Sequence, residues 1–331
     1  MKIAFHTPQI DVRGTCVALY DYALYSETLL GHTSIVVTDR KNSEKCDIRA
    51  VRKFKNRFPV FSYSTKEELH NILKREKCNV LYAIKYGKND GIYFDDGTIK
   101  NAIHCVFDMS EPHGDVYAGV SKALAKKFEC SLFVPHMIGL RPSKTKENLR
   151  KSLNIPENAL VFGRHGGIDT FNLPFVHAAI ARIVQKKNDI YFVFMGAPIF
   201  ARHPQIIYLP PTCDDDEKNR FISTCDAHLE CGSMGHSFGL AMGEFSINNK
   251  PIIVYKNDSV WNTAHYDILG EHALYFEDGE QFENIIVNFK PNSKDWNRYR
   301  DYSPEKVMKI FSSVFLFDDS SHYPNTTATP D

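Results

Sequence analysis

Lys2-Ile3-Ala4-Phe5-His6 leads through a polar turn at 8–14 to Val17, Leu19, Tyr20, Ala23 and Leu24, and then to Ser34-Ile35-Val36-Val37-Thr38. The first run has the length and composition of a short strand, and the middle set recurs at helical spacing. The last run is β-branched, as strands favour. Thr15 is placed to cap the helix and Gly31 to close it. The same alternation continues with strands expected at 60–63, 79–84, 102–107, 116–120 and 131–134, and helices at 65–77 and 121–127. Strand, helix, strand in series implies a parallel sheet covered on both faces.

A proline- and glycine-containing stretch at 135–150, with Lys144, Lys146 and Arg150, reads as a junction. A second alternating run follows. Strands are expected at 159–163, 190–195, 205–209, 227–230, 252–255 and 273–276, with helices at 173–187, 216–225, 239–248, 281–288 and 304–315. The expected fold class is therefore α/β, with two Rossmann-like doubly wound domains facing a cleft. Residues 1–140 form the first, 141–317 the second, and 318–331 a tail without apolar periodicity. In such sheets ligands bind outside the carboxyl ends of the strands.

Composition narrows the function. The chain has 331 residues, 43% hydrophobic and 24% charged, which fits a globular protein and excludes a collagen or a coiled coil. Forty basic residues balance forty acidic ones, so no net field draws the chain to nucleic acid or an anionic membrane. Its start lacks a signal-like apolar segment, no stretch is long enough to cross a bilayer, and the eight cysteines include no Cys-x-x-Cys pair. These features predict a cytoplasmic, metal-free protein. Peripheral membrane contact and oligomeric state stay open.

The richest chemistry lies in Gly235-His236-Ser237-Phe238-Gly239-Leu240-Ala241-Met242-Gly243-Glu244, followed by Lys250-Pro251-Ile252-Ile253. A small-residue turn feeds a helix whose first amides suit phosphate oxygens. Glu244, one turn further on, suits sugar hydroxyls because a carboxylate accepts two hydrogen bonds. The plainer reading is a buried amphipathic helix with Glu244 on its wet side. Arg164 ends the run Leu160-Val161-Phe162-Gly163-Arg164 ahead of Gly166-Gly167, and a guanidinium fork there would pair with phosphate. Its plainer reading is a surface salt bridge.

These motifs resemble the donor site of GT-B glycosyltransferases, in particular the large retaining group with a Glu-x7-Glu motif (glycosyl transferases group 1). The resemblance covers about residues 1–315. It implies that Glu244 holds the ribose, that Arg164 binds the diphosphate and acts in catalysis, and that Ser237, Phe238, Gly239 and Leu240 line the donor. His236 stands where the family has its first glutamate, and Asp169 where it has a lysine. Pro8 to Thr15 resembles the family's first loop, which makes Gly14 and Thr15 donor-binding. Ala118-Gly119-Val120-Ser121 and Val134-Pro135-His136 are similar to the family's last N-terminal strand and its linker.

Phe107-Asp108 stands where the family often has His-Asp, so His113, shortly after, is the candidate replacement catalytic histidine, against a reading as a solvated loop residue. Lys85 and Asp90 follow a strand end in the first half, where acceptor contacts are expected. Asp214-Asp215-Asp216 reads as a helix start, not a metal cluster.

The resemblance implies metal-independent, retaining chemistry: a sugar moves from a UDP- or GDP-linked donor to a glycan or other hydroxyl acceptor, with no further cofactor. Rival readings are a catalytically silent nucleotide- or sugar-binding protein and a nucleotide-sugar epimerase on the same fold. A dehydrogenase is disfavoured, because no Gly-x-Gly-x-x-Gly follows the first strand.

Overall fold

The computed structural model describes residues 1–143, 145, 147–257 and 260–317. Two compact units divide the chain. Met1–Asp11, Thr15–Met137 and the residues from Tyr302 onward make the first, and Val12–Gly14 with Ile138–Asp301 make the second.

The first unit runs β1 (Lys2–Thr7), α1 (Gly14–Thr28), β2 (Thr33–Asp39), α2 (Ile48–Arg57), β3 (Val60–Tyr63), α3 (Lys66–Arg75), β4 (Val80–Lys85), β5 (Lys100–Cys105), β6 (Val116–Gly119) and α4 (Lys122–Lys127). Its strands form one parallel sheet in the order β3-β2-β1-β4-β5-β6. Ile3, Ala4 and Phe5 are all fully buried, as a strand covered on both faces requires. Ala4, Ile35, Val37 and Leu81 meet Leu69 and Leu73 of α3 on one side of the sheet.

The second unit runs β7 (Leu160–His165), α5 (Pro174–Lys186), β8 (Ile190–Met195), β9 (Ile206–Leu209), α6 (Asp215–Thr224), β10 (Ala227–Glu230), β11 (Gly235–His236), α7 (Leu240–Ile247), β12 (Ile252–Tyr255), β13 (Asn262–Thr263), α8 (Ala264–Leu269), β14 (Leu274–Phe276) and α9 (Gly279–Val287). Six strands form a parallel sheet in the order β14-β12-β10-β7-β8-β9, and β11 pairs with β13. Phe162, Phe192, Phe194 and Leu229 pack against Val176, Ile180 and Ile183 of α5. In both sheets the first strand is flanked by strands reached in opposite directions, β1 beside β4 and β7 beside β10. Each such reversal opens a crevice at the carboxyl ends of the two strands.

A final helix, α10 (Pro304–Phe311), returns to the first unit. Phe311 stacks on Tyr22 with ring centroids 5.1 Å apart and meets Tyr82 at 5.2 Å. The sequence places this helix at the end of the second domain; the aromatic contacts decide otherwise. Three further differences are local. The expected strand at 131–134 makes only an isolated bridge, Gly119 to Phe133. Helix α1 starts at Gly14, so Thr15 lies inside it and not at its cap. Helix α2, unexpected from sequence, buries only Ala50 and Phe54, one i,i+4 pair in a basic segment. The expected tail at 318–331, with Lys144 and Lys146, lies outside the described residues. Among the described residues no helix is long and apolar enough to cross a membrane.

Candidate functional site

Arg164 lies near the carboxyl end of β7 and is 1% exposed. Its Nη2 donates to the Gly167 carbonyl at 2.8 Å and to Thr170 Oγ1, which itself donates to the Gly167 carbonyl. The Nε and Nη1 groups have no partner among the described residues. The guanidinium carbon stands 5.6 Å from the Phe171 ring centroid. Burial pushes the guanidinium pKa down and the Glu230 carboxylate opposes it. A buried cation with two unpaired donor groups is costly until an acceptor reaches it. The surface salt bridge weighed for Arg164 is therefore excluded, and Asp169 is exposed.

Glu244 is the fifth residue of α7 and is 4% exposed, so it does not sit on a wet face. Each of its oxygens has a nitrogen close by. Lys218 Nζ, in the first turn of α6, lies 2.6 Å from Oε1, and His165 Nε2 lies 3.0 Å from Oε2. Burial pushes the Glu244 pKa up, but Lys218 and His165 outweigh it and hold the carboxyl at about 2. Lys218 is thus the buried cation beside Glu244. Nothing in the linear sequence marks it, because it sits alone after Asp214-Asp215-Asp216-Glu217. That acidic run acts as a helix start: Asp214 Oδ1 accepts from the Glu217 amide at 2.9 Å.

Glu230 closes β10 and is 3% exposed. His236 Nε2 approaches its Oε1 to 2.8 Å, off the axis of the ring N–H, and His228 Nε2 lies 3.4 Å from Oε2. Burial pushes the Glu230 pKa up, yet the two imidazoles hold it well below the usual range. Sequence reasoning missed this carboxylate; its one signal was a charge ending the otherwise neutral strand Ala227-His228-Leu229-Glu230. Gly232 lies between the two groups of polar residues. A Cβ there would stand 3.0 Å from the Thr170 carbonyl oxygen and 3.4 Å from Glu230 Oε1.

His236 is delivered by a constrained turn. Gly235 has φ of +64°, and a Cβ there would come within 2.1 Å of the Asn262 carbonyl oxygen. Gly239, with φ of +91°, caps α7 without any side-chain hydrogen bond. No side chain of the cap residue covers the first-turn amides of α7, which suits an anion. Ser237 is buried. Phe238 is a packing residue, buried edge-on against Tyr299, whose hydroxyl donates to the Phe238 carbonyl at 2.8 Å. Leu240 opens α7 half-buried.

In the first unit, Lys85 ends β4 and is buried, with Nζ 2.5 Å from Asp90 Oδ1 and 3.2 Å from His113 Nε2. His113 Nδ1 lies 2.7 Å from the Glu111 carbonyl oxygen and so must carry a proton, which leaves Nε2 to accept from Lys85. Three residues singled out separately in the sequence therefore meet. With both ring nitrogens taken, His113 is neither a solvated loop residue nor a free base. Gly14 and Thr15 open α1 beyond the carboxyl end of β1, exposed and half-buried respectively.

The fold recurs in solved structures. HepE from Anabaena, in complex with UDP-glucose, superposes with a TM-score of 0.67 over 95% of this chain and 95% of that chain, at 14% identity. WaaG, a glycosyltransferase involved in lipopolysaccharide biosynthesis, gives 0.62 at 10% identity, over 95% of this chain and 100% of that one. The chain has the GT-B fold. A Listeria monocytogenes protein described as a UDP-N-acetylglucosamine 2-epimerase shares the fold as well, with a TM-score of 0.63, 11% identity and 99% of each chain covered. No family model and no curated protein sequence matches the chain. At these identities the likeness carries the fold alone.

Proposed function

We propose that this GT-B chain is a nucleotide-sugar-dependent glycosyltransferase, moving a sugar from a UDP-linked donor to a hydroxyl acceptor such as a glycan. The observation that carries the reading is Arg164, a buried guanidinium with two unpaired donor groups at the strand reversal of the second sheet. A diphosphate is the ligand that such a fork pairs with best. Solved structures of the same fold hold UDP-glucose or UDP, which favours UDP over GDP.

In this reading Arg164 and the first-turn amides and dipole of α7 offset the charge of the leaving diphosphate as the anomeric carbon gains oxocarbenium character. That set of groups serves in place of a metal ion, and no other cofactor is invoked. His236 contacts the donor sugar. Glu244 takes the ribose hydroxyls by releasing one of its two present contacts. Lys85 and Asp90 face the acceptor, with His113 positioning Lys85. Gly14 and Thr15 border the donor. Retention of configuration and a cytoplasmic location belong to the same reading.

Thermal shift against uridine, UMP, UDP and UDP-glucose tests it, because a ligand that binds only the folded state raises the midpoint. The expected order is a clear rise with the diphosphates and little with uridine. No rise with any nucleoside diphosphate overturns it. The epimerase-like neighbour supports a second reading. Conversion of a UDP-sugar to its epimer without acceptor would favour that one.

A further inference from the structure

Glu230 is a fully buried carboxylate that the donor-site reading does not use. Taking such a charge out of water is expensive unless it is paired. Its direct contacts are two imidazoles on the same unit, His228 at 3.4 Å and His236 at 2.8 Å. The two differ in access. His228 is fully buried, whereas the His236 side chain is 22% exposed. Burial lowers the His228 pKa to about 4, so its ring is neutral at ordinary pH. His236 is therefore the member of this chain of contacts that reaches a ligand.

The contact also bears on which ring nitrogen holds the proton. Although the carboxylate oxygen lies off the ring N–H axis, at 2.8 Å its charge attracts a hydrogen on Nε2 and repels a lone pair there, which favours the Nε2–H tautomer. In the neutral ring Nδ1 is then the acceptor. The backbone holds this orientation, because β11 pairs with β13 in register, Gly235 opposite Asn262 and His236 opposite Thr263. Behind the turn, the His236 carbonyl oxygen lies 3.4 Å from His265 Nδ1.

We propose that Glu230 is a positioning residue, which fixes His236 with its proton on Nε2 and presents Nδ1 as the acceptor for a hydroxyl of the donor sugar. A neutral imidazole with a carboxylate behind it can accept that hydrogen bond as a carboxylate would. This inference rests on the donor-site reading above. It assigns to Glu230 selectivity for the sugar moiety, as distinct from binding of the nucleotide.

Calorimetry with UDP and UDP-glucose tests it on wild type, Glu230→Gln, His236→Ala and the double variant. Losing one hydrogen bond should weaken UDP-glucose by about 5- to 10-fold. The loss for UDP should be several-fold smaller, and the double variant no worse than the worse single one. Equal losses for the two ligands, or additive ones, would mean that Glu230 only balances charge, and would overturn the proposal. Nitrogen-15 spectra of the ligand-free wild type give an independent reading, with the Nε2–H tautomer expected at His236. The Nδ1–H tautomer would sink the proposal, whether or not Glu230→Gln folds. Failure of the wild type to bind either nucleotide would instead remove the donor-site reading, and the spectra would still judge the Glu230–His236 contact.

Discussion

Lys218 Nζ stands 2.6 Å from Glu244 Oε1, joining the first turn of α6 to the second turn of α7 where neither side chain is more than one-tenth exposed. The pair ties the two helices flanking β10 to one charge contact, and it makes the protein's response to acid specific.

Glu244 titrates at about 2 in the folded chain. A carboxyl in an unfolded chain titrates near about 4.3. The folded value is the lower, so the contribution is complete above the unfolded value and is lost as pH falls from about 4.5 towards 2. Denaturant midpoints measured across that window should fall more steeply for wild type than for Glu244→Gln. Lys218→Met leaves the carboxylate with His165 alone and should cost about 3 kcal/mol at neutral pH. An unchanged urea midpoint would show that the pair contributes nothing.

Arg164→Ala should harm UDP binding far more than uridine binding, by about 10- to 100-fold for loss of charged hydrogen bonds. Arg164→Lys should recover only part, because an ammonium cannot reproduce the fork. Calorimetry with both ligands decides. Equal losses for uridine and UDP would move the phosphate site elsewhere.

Gly235→Ala forces a Cβ against the Asn262 carbonyl oxygen at a positive φ. The conformation alone costs roughly 1–2 kcal/mol. A lower thermal midpoint is expected, together with a loss in UDP-glucose binding exceeding that for UDP, since the turn that delivers His236 must shift.

Phe311→Ala removes the ring stacked on Tyr22 and should destabilise by about 3–5 kcal/mol. The loss should appear in the transition of the first unit, followed by hydrogen exchange at β1 and β4. Undisturbed protection there would mean that α10 is not part of that core.

Much of the fold was legible in the sequence because parallel strands covered on both faces are written as short unbroken apolar runs, and 3–5, 35–37 and 190–195 are such runs. Arg164 and Glu244 stood out in the sequence by their places at a strand end and just inside a helix, but their burial was not legible, since a surface salt bridge and a wet helix face fitted the same spacing. Their partners were not legible either. Helix α2 escaped because Ala50 and Phe54 are too sparse a stripe to read, and Lys218 because a lone lysine on a helix carries no periodic signal.

The sequence by itself determined most of the strand and helix alternation, the helix start at Asp214, and the small-residue turn ahead of α7, because each is set by neighbours a few residues away. The tertiary structure alone decided that Lys218 and His165 meet Glu244, that Glu230 stands behind His236, and that Lys85, Asp90 and His113 gather at one strand end. It also decided that α10 joins the first unit. These contacts join residues from 5 to about 290 positions apart, and even the nearest depend on how a loop folds back. Burial and charge compensation select such partners in three dimensions, and no local spacing encodes them.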